Sequence, residues 1–276
     1  MSVKCVVHPK TQKRYCLGCN PPLPRGLKLH LNNYVLPDLP APQTAVDWSP
    51  SSLAALAEVY LNDSEGDCVI AGNGHVEGVL TGNATRGAPV LFSDTQINAL
   101  YSAIGGYVPG DPATDVGCDP ETALNYLKHQ GFLPGASDPR KIAGWLALDG
   151  ADITQIQQAI YLFENVGFAV YLPDAWIDPP PSESGFVWAV NGAPDTANGH
   201  YFIGFGYNGQ GIQISTWGMV GTLTYAACET YPTMVDDGAV YTLISHDALN
   251  RAKQKAPNGL DWAQLEADFA AMGAAL

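Results

Sequence analysis

The first nineteen residues carry two pairs of metal-ligating side chains: Cys5 and His8, separated by two residues, and, after seven more, Cys16 and Cys19 with the same separation. Each pair can grip one ion from a tight turn. Thiolate and imidazole suit Zn²⁺, and four such ligands close a structural tetrahedral site. The polar stretch between the pairs has no core of its own to bury, so bound zinc would supply its folding energy. The competing reading is a free-thiol tail with fortuitous spacing. A further thiol, Cys68, follows the glycine-containing loop from Asn62 to Asp67 and stands at the first turn of an expected helix. The N–H groups and dipole of a helix N-terminus stabilise thiolate and can bring a cysteine pKa down to about 3.5–7.5. The same placement also suits a small buried hydrophobe, the common fate of free cysteine.

The elements that would position these groups can be read from periodicity and punctuation. Ser49-Pro50-Ser51-Ser52 opens a helical pattern running to Leu61. Ser93 followed by Gln96 is a capping box for a helix over 92–104, and a second helix, over 120–130, ends at Gly131. Ile153, Ile156, Ile160 and Phe163 mark a third over 152–166, stopped by Gly167. Phe168–Leu172 and Phe186–Val190 read as strands on either side of a proline-rich loop. Beyond residue 198 strands dominate: 200–207, a hairpin turn at Asn208-Gly209, 211–217 and 239–244. Two short helices around Pro257-Asn258-Gly259 close the chain. Helices followed by strands give an α+β fold with four parts. Residues 1–45 form a basic, proline-rich arm, 46–150 a helical lobe carrying Cys68, 151–245 a β-rich lobe and 246–276 a helical tail.

Charge sharpens this division. The chain of 276 residues has a net charge of −14, yet residues 1–30 hold six basic side chains and no acidic one. An acidic body repels nucleic acid. The arm can dock on an acidic surface, a neighbour's or the chain's own, and it can equally be a solvated tail. Its prolines and its apolar residues Leu23, Leu27, Leu29, Leu31, Tyr34 and Leu36 suit an extended strap along a surface or a partner. No run of eighteen apolar residues is present, which excludes a spanning helix, and the amino terminus lacks the apolar stretch of a secretory signal. Reduced thiols in a cytoplasmic protein, or in a particle assembled there, are the expectation. The turn at Asp236-Asp237-Gly238 has nothing beside it to complete a calcium loop. His75 and Glu77 read as solvent or packing residues, and His129 as a complement to its helix dipole.

The ordered markers resemble those of papain-like cysteine peptidases. Val46-Asp47-Trp48 matches the VDW that opens their mature chain, and Leu91 to Gln96 their LSEQQL helix start. Gly117-Cys118, the helix after it and Gly131-Phe132-Leu133 match their GC…GGL stretch. Gly199-His200 with Gly204 to Tyr207 matches GHAVxxVGYG, and Ser215-Thr216-Trp217-Gly218 falls on NSWG. The likeness covers residues 46–245. It implies a two-lobe papain-like fold in which Cys68 is the nucleophile, paired as thiolate with the His200 imidazolium. It further implies Ser215 where an Asn orients the histidine, Asn62 as a shortened oxyanion donor, and Trp217 at the substrate cleft. A peptide or protein would be the substrate. The amino-terminal Cys/His spacing is similar to the first half of a B-box zinc finger, whose second ligand set is missing here.

Several positions depart from the family pattern. Val69 replaces the Trp after the nucleophile, and Asp63, Glu65 and Asp67 set carboxylates around a thiol whose ionisation they oppose. The disulfide partner that the resemblance gives Cys118 falls at Glu65. The arm has the wrong composition for an inhibitory propeptide. Two functions from different classes follow: a cysteine peptidase, or a non-catalytic papain-fold protein anchored through its arm in an assembly such as a phage or virus particle. Transglutaminase-like acyl transfer, which uses a similar Cys–His pair, is a third. An open cleft above Cys68 favours the enzyme; a cleft filled by the arm favours the structural protein.

Overall fold

A computed structural model describes residues 3–22, 28–232 and 239–274. Leu23, Leu27 and the expected Asp236-Asp237-Gly238 turn lie outside the described residues. The arm begins as a hairpin of β1 (Lys4–Val7) and β2 (Arg14–Leu17), whose antiparallel register sets Cys5 opposite Cys16. A disulfide joins the two. This corrects the expectation of a four-ligand zinc site on Cys5, His8, Cys16 and Cys19, and with it the expectation that all the thiols are reduced. Cross-strand pairing turns two of the four ligands toward each other, and a sulfur in a disulfide is no longer a thiolate donor. His8 Nδ1 instead accepts the Thr11 N–H at 3.0 Å within its own turn. No group of three or more His, Cys, Asp or Glu suited to a metal occurs among the described residues.

Residues 29–34 of the arm form a strap on the chain's own body. Leu29, Leu31 and Tyr34 are buried, Ala147 N–H donates to the Leu29 carbonyl at 2.8 Å, and Asp261 N–H donates to that of Tyr34 at 2.8 Å. Two of the arm's basic residues meet the chain's own carboxylates: Lys28 pairs with Glu121 at 2.5 Å and Lys4 with Asp174 at 3.9 Å.

The first lobe is built on α2 (Cys68–Thr85), a helix buried along most of its length. Its glycines let neighbours approach the backbone: a Cβ at Gly72 would stand 2.6 Å from the Tyr201 ring, and one at Gly78 2.2 Å from Ala55 Cβ. Around it lie α1 (Leu53–Leu56), α3 (Asp94–Gly105) and α4 (Pro120–His129). The capping box on Ser93 and Gln96 is present as expected. The α1 helix is shorter than its pattern, because Tyr60 and Leu61 adopt left-handed φ values of 53° and 68° and turn the chain. That turn packs Tyr60 against His75 and Phe92.

The sheet contains β3 (Val46–Asp47), β4 (Gly144–Leu148), β5 (Val166–Pro173), β6 (Phe186–Trp188), β7 (Pro194–Asn208), β8 (Gly211–Thr216), β9 (Met219–Thr224) and β10 (Ala239–Ile244). Its order is β4-β10-β5-β7-β8-β9-β6, with β3 on β7. Helices α5 (Ile153–Phe163), α6 (Tyr225–Thr230), α7 (His246–Lys255) and α8 (Trp262–Ala274) complete the chain. The α5 helix stops early at Glu164, whose buried carboxylate receives Arg251 at 2.8 Å and Lys255 at 3.1 Å.

Strand β7 divides two cores. Phe202 lies in one with Phe168, Val170, Trp188 and Trp217; Tyr201, Ile203 and Phe205 lie in the other with α2. This is the period-2 alternation of a strand buried on both faces. It sets the His200 ring with Phe202 and Trp217 and the neighbouring Tyr201 with α2.

Candidate active site

Cys68 is the first residue of α2, as expected, with Asp67 at the N-cap. Its thiol is 1% exposed. Burial pushes its pKa up to about 12; the N–H groups of Gly18, Tyr201 and Val69 oppose that rise and the Asp67 carboxyl adds to it. The helix terminus thus does not yield a thiolate here, because desolvation outweighs the dipole. Of the three carboxylates flagged in this loop, only Asp67 acts directly on the sulfur. It is buried, with its own pKa raised, first by desolvation and then by Glu65. Glu65 itself accepts the Tyr107 hydroxyl at 3.1 Å.

His200 lies on β7, fully buried, its ring stacked on Trp217 at 4.5 Å between centroids. Its Nε2 is 2.7 Å from Thr216 Oγ1, and Nδ1 has no hydrogen-bond partner among the described residues. Burial pushes its pKa down to about 3, so the ring is neutral. The next N–H along the strand, that of Tyr201, faces the Cys68 sulfur. The backbone of the residue after His200 thus touches the thiol, while the His200 ring packs with Phe202, Trp217 and Thr216.

Ser215 does not orient the ring. It pairs with Ile203, on the α2 face of the strand, and its hydroxyl donates to the Leu56 carbonyl at 3.3 Å. One position further, alternation turns Thr216 to the face of Phe202 and His200. Thr216 is the residue that the sequence reading missed, although it stands within the quoted Ser-Thr-Trp-Gly turn. Trp217, at a left-handed φ of 52°, folds back over His200.

The arm runs between the lobes across these residues. Cys16 N–H donates to the Asn62 carbonyl at 2.8 Å, and Asn62 Nδ2 donates to the Cys16 carbonyl at 3.1 Å. Gly18 passes so close to the loop before Cys68 that a Cβ there would stand 1.8 Å from the Gly66 carbonyl oxygen. Cys118 N–H donates to the Gly18 carbonyl at 2.9 Å, Cys19 N–H to the Gly199 carbonyl at 3.1 Å, and Asn20 N–H to the Cys118 carbonyl at 3.0 Å. Tyr15 stacks on Trp217, with 4.9 Å between ring centroids. The expected cleft is filled, and the arm that fills it behaves as a plug despite its composition. The Asn62 amide also donates to the Glu65 carbonyl of its own loop, at 3.1 Å. Trp217 contacts the plug directly.

The remaining candidates are structural. His75 is buried, with Nε2 2.9 Å from the Glu58 carbonyl and burial lowering its pKa to about 4. Glu77 pairs with Arg140 at 2.6 Å, and His129 stands in the last turn of α4.

Comparison with solved structures gives the same architecture. Xylellain, a cysteine protease from Xylella fastidiosa, superposes with a TM-score of 0.63 at 14% identity, over 83% of this chain and 96% of that one. The ragweed pollen allergen Amb a 11, a cysteine protease in its proform, gives 0.53 at 18% identity, over 80% and 72%. The cysteine protease and lectin-like domains of Cwp84 from Clostridium difficile give 0.55 at 13%, over 88% and 60%. The chain has the α+β papain-like protease fold. No protein-family model matches it, and no curated protein does. Among the described residues no helix is long and apolar enough to cross a membrane.

Proposed function

We propose that the chain is a cysteine peptidase held latent by its own arm, with Cys68 as nucleophile and His200 as base and acid. The observation that carries this reading is the state of the two ring nitrogens. Thr216 holds Nε2 and Nδ1 has no partner among the described residues, while the backbone N–H of the next residue, Tyr201, faces the sulfur. A ring held by one nitrogen and free at the other is the arrangement a proton-transferring histidine needs.

Seated, the arm keeps water out, the thiol protonated and the ring neutral. Once the arm leaves, solvent reaches both groups, and the desolvation that drives their pKa values apart is relieved. The proton then passes from Cys68 to His200, and the thiolate attacks the carbonyl of a peptide substrate. The oxyanion meets the Cys68 N–H and the Asn62 amide, the donor now occupied by the Cys16 carbonyl; each such donor is worth about 10²–10³ in rate. His200 gives its proton to the departing amine and afterwards draws one from water, so that the thioester is hydrolysed and Cys68 is regenerated.

A second reading, a papain-fold protein whose cleft is permanently closed, is favoured by the completeness of the plug. Labelling with a peptidyl epoxide separates the two. The Gly18→Leu chain, in which the arm cannot seat against Gly66, is expected to form an adduct on Cys68 at neutral pH that disappears when His200→Ala is added. Labelling at the rate of an ordinary thiol, indifferent to His200, would leave the second reading standing.

A further inference from the structure

Cys19 of the arm and Cys118 of the first lobe are buried, free cysteines whose backbones pair in a parallel bridge. The bridge is fixed on both sides of Cys118, whose N–H donates to the Gly18 carbonyl and whose carbonyl accepts the Asn20 N–H. Residues paired across neighbouring strands lie about 4.8 Å apart, inside the Cα separation of about 4.4–6.8 Å that a disulfide requires, and their side chains leave on the same side. Cys118 adds to the rise of the Cys19 pKa, after burial and Cys68, and Cys68 acts on both thiols. The Cys5–Cys16 disulfide ties the arm only to itself; Cys19 is its one free cysteine.

We infer that Cys19 and Cys118 are an oxidisable pair whose disulfide fastens the arm covalently over the site, and that the dithiol seen here is the releasable state. The oxidant is a hydroperoxide. The more exposed thiol, Cys19, takes one oxygen to become a sulfenic acid, releasing water or an alcohol. The Cys118 sulfur then displaces the hydroxyl, which leaves as a second water, and the S–S bond forms. Two electrons pass from the two sulfurs to the peroxide, and a dithiol reductant returns them. Because burial keeps both thiols protonated, the reaction proceeds when Asn20 lifts from Cys118 and water reaches the pair. The inference is a regulation of the site proposed above and rests on that reading for its consequence, though not for the bond itself.

The test oxidises the full-length chain with hydrogen peroxide under native conditions, blocks residual thiols with N-ethylmaleimide and maps peptides without reduction. A Cys19–Cys118 linkage with Cys68 blocked as a free thiol, reversed by dithiothreitol, is the expected result. Hydrogen exchange at the Cys19 amide should slow about tenfold on oxidation, and this slowing should be lost in Cys118→Ala. Free Cys19 after oxidation, or a linkage to Cys68 instead, would overturn the inference, as would exchange indifferent to the bond. Failure of the peptidase reading would register separately, as His200-independent labelling of Cys68 beside an intact linkage result.

Discussion

The Cys19 N–H donates to the Gly199 carbonyl at 3.1 Å, one residue before His200. Through that bond the arm touches the strand that carries the proposed base, while the Asn62–Cys16 pair of bonds ties it to the loop that leads to the proposed nucleophile. An amino-terminal segment anchored to both lobes lies against Cys68, whose sulfur faces the Gly18 N–H.

Thr216, rather than Ser215, should matter to His200. Thr216→Val removes the partner of a buried ring nitrogen and should cost about 1–3 kcal/mol in denaturant unfolding. In the Gly18→Leu background it should also slow epoxide labelling of Cys68 at least tenfold. Ser215→Ala should leave labelling within about twofold, since its hydroxyl serves only the Leu56 carbonyl.

The buried imidazole should show itself in the pH dependence of stability. The folded-state pKa of His200 is about 3 against an ordinary value of 6.5, so below pH 6.5 the unfolded chain takes up a proton that the folded chain refuses. The stability that His200 contributes is complete above that pH and falls as acid is added. His75 acts in the same direction, whereas Glu77, raised to about 7, acts oppositely, so a difference between variants isolates the effect. From pH 7 to pH 5 the native chain should lose about 2 kcal/mol more than His200→Gln, as read from urea midpoints.

The hairpin should be indifferent to metal. Chelation at neutral pH should leave the unfolding temperature unchanged, and the intact mass without reductant should lie about 2 Da below the reduced mass. Cys5→Ser should destabilise the chain by about 2–4 kcal/mol through loss of the cross-link.

Glu164 is a buried charge answered by Arg251 and Lys255. Glu164→Gln leaves those two cations without their counter-ion and should destabilise by about 3–5 kcal/mol, measured by denaturant unfolding at pH 7.

The fold was legible because its markers are local. A thiol at a helix start, a capping box at Ser93 and a Gly-rich strand after His200 each announce themselves within a few residues. Strand β4 was hidden, since Gly-Trp-Leu-Ala-Leu is too short an apolar run to distinguish strand from helix. Ser215 was preferred to Thr216 because aligned motifs carry residue order and not strand facing, which depends on register with β7. The arm was misread for a different reason. Cysteine spacing within one segment suggested a shared ion, whereas the hairpin register sent Cys16 to Cys5 and the seat against Gly66 and Gly199 sent Cys19 to Cys118. Contacts between distant segments leave no local trace.

Strand β7 places consecutive side chains in opposite cores, and its bulge between Gly204 and Gly206 pins the frame in which it does so. Reactivity in this molecule is consequently a question of parity. One residue added or lost between Asn198 and that bulge would exchange the surroundings of His200 and Tyr201, putting a phenol on Thr216 and an imidazole against the helix, in a protein whose outline had scarcely altered.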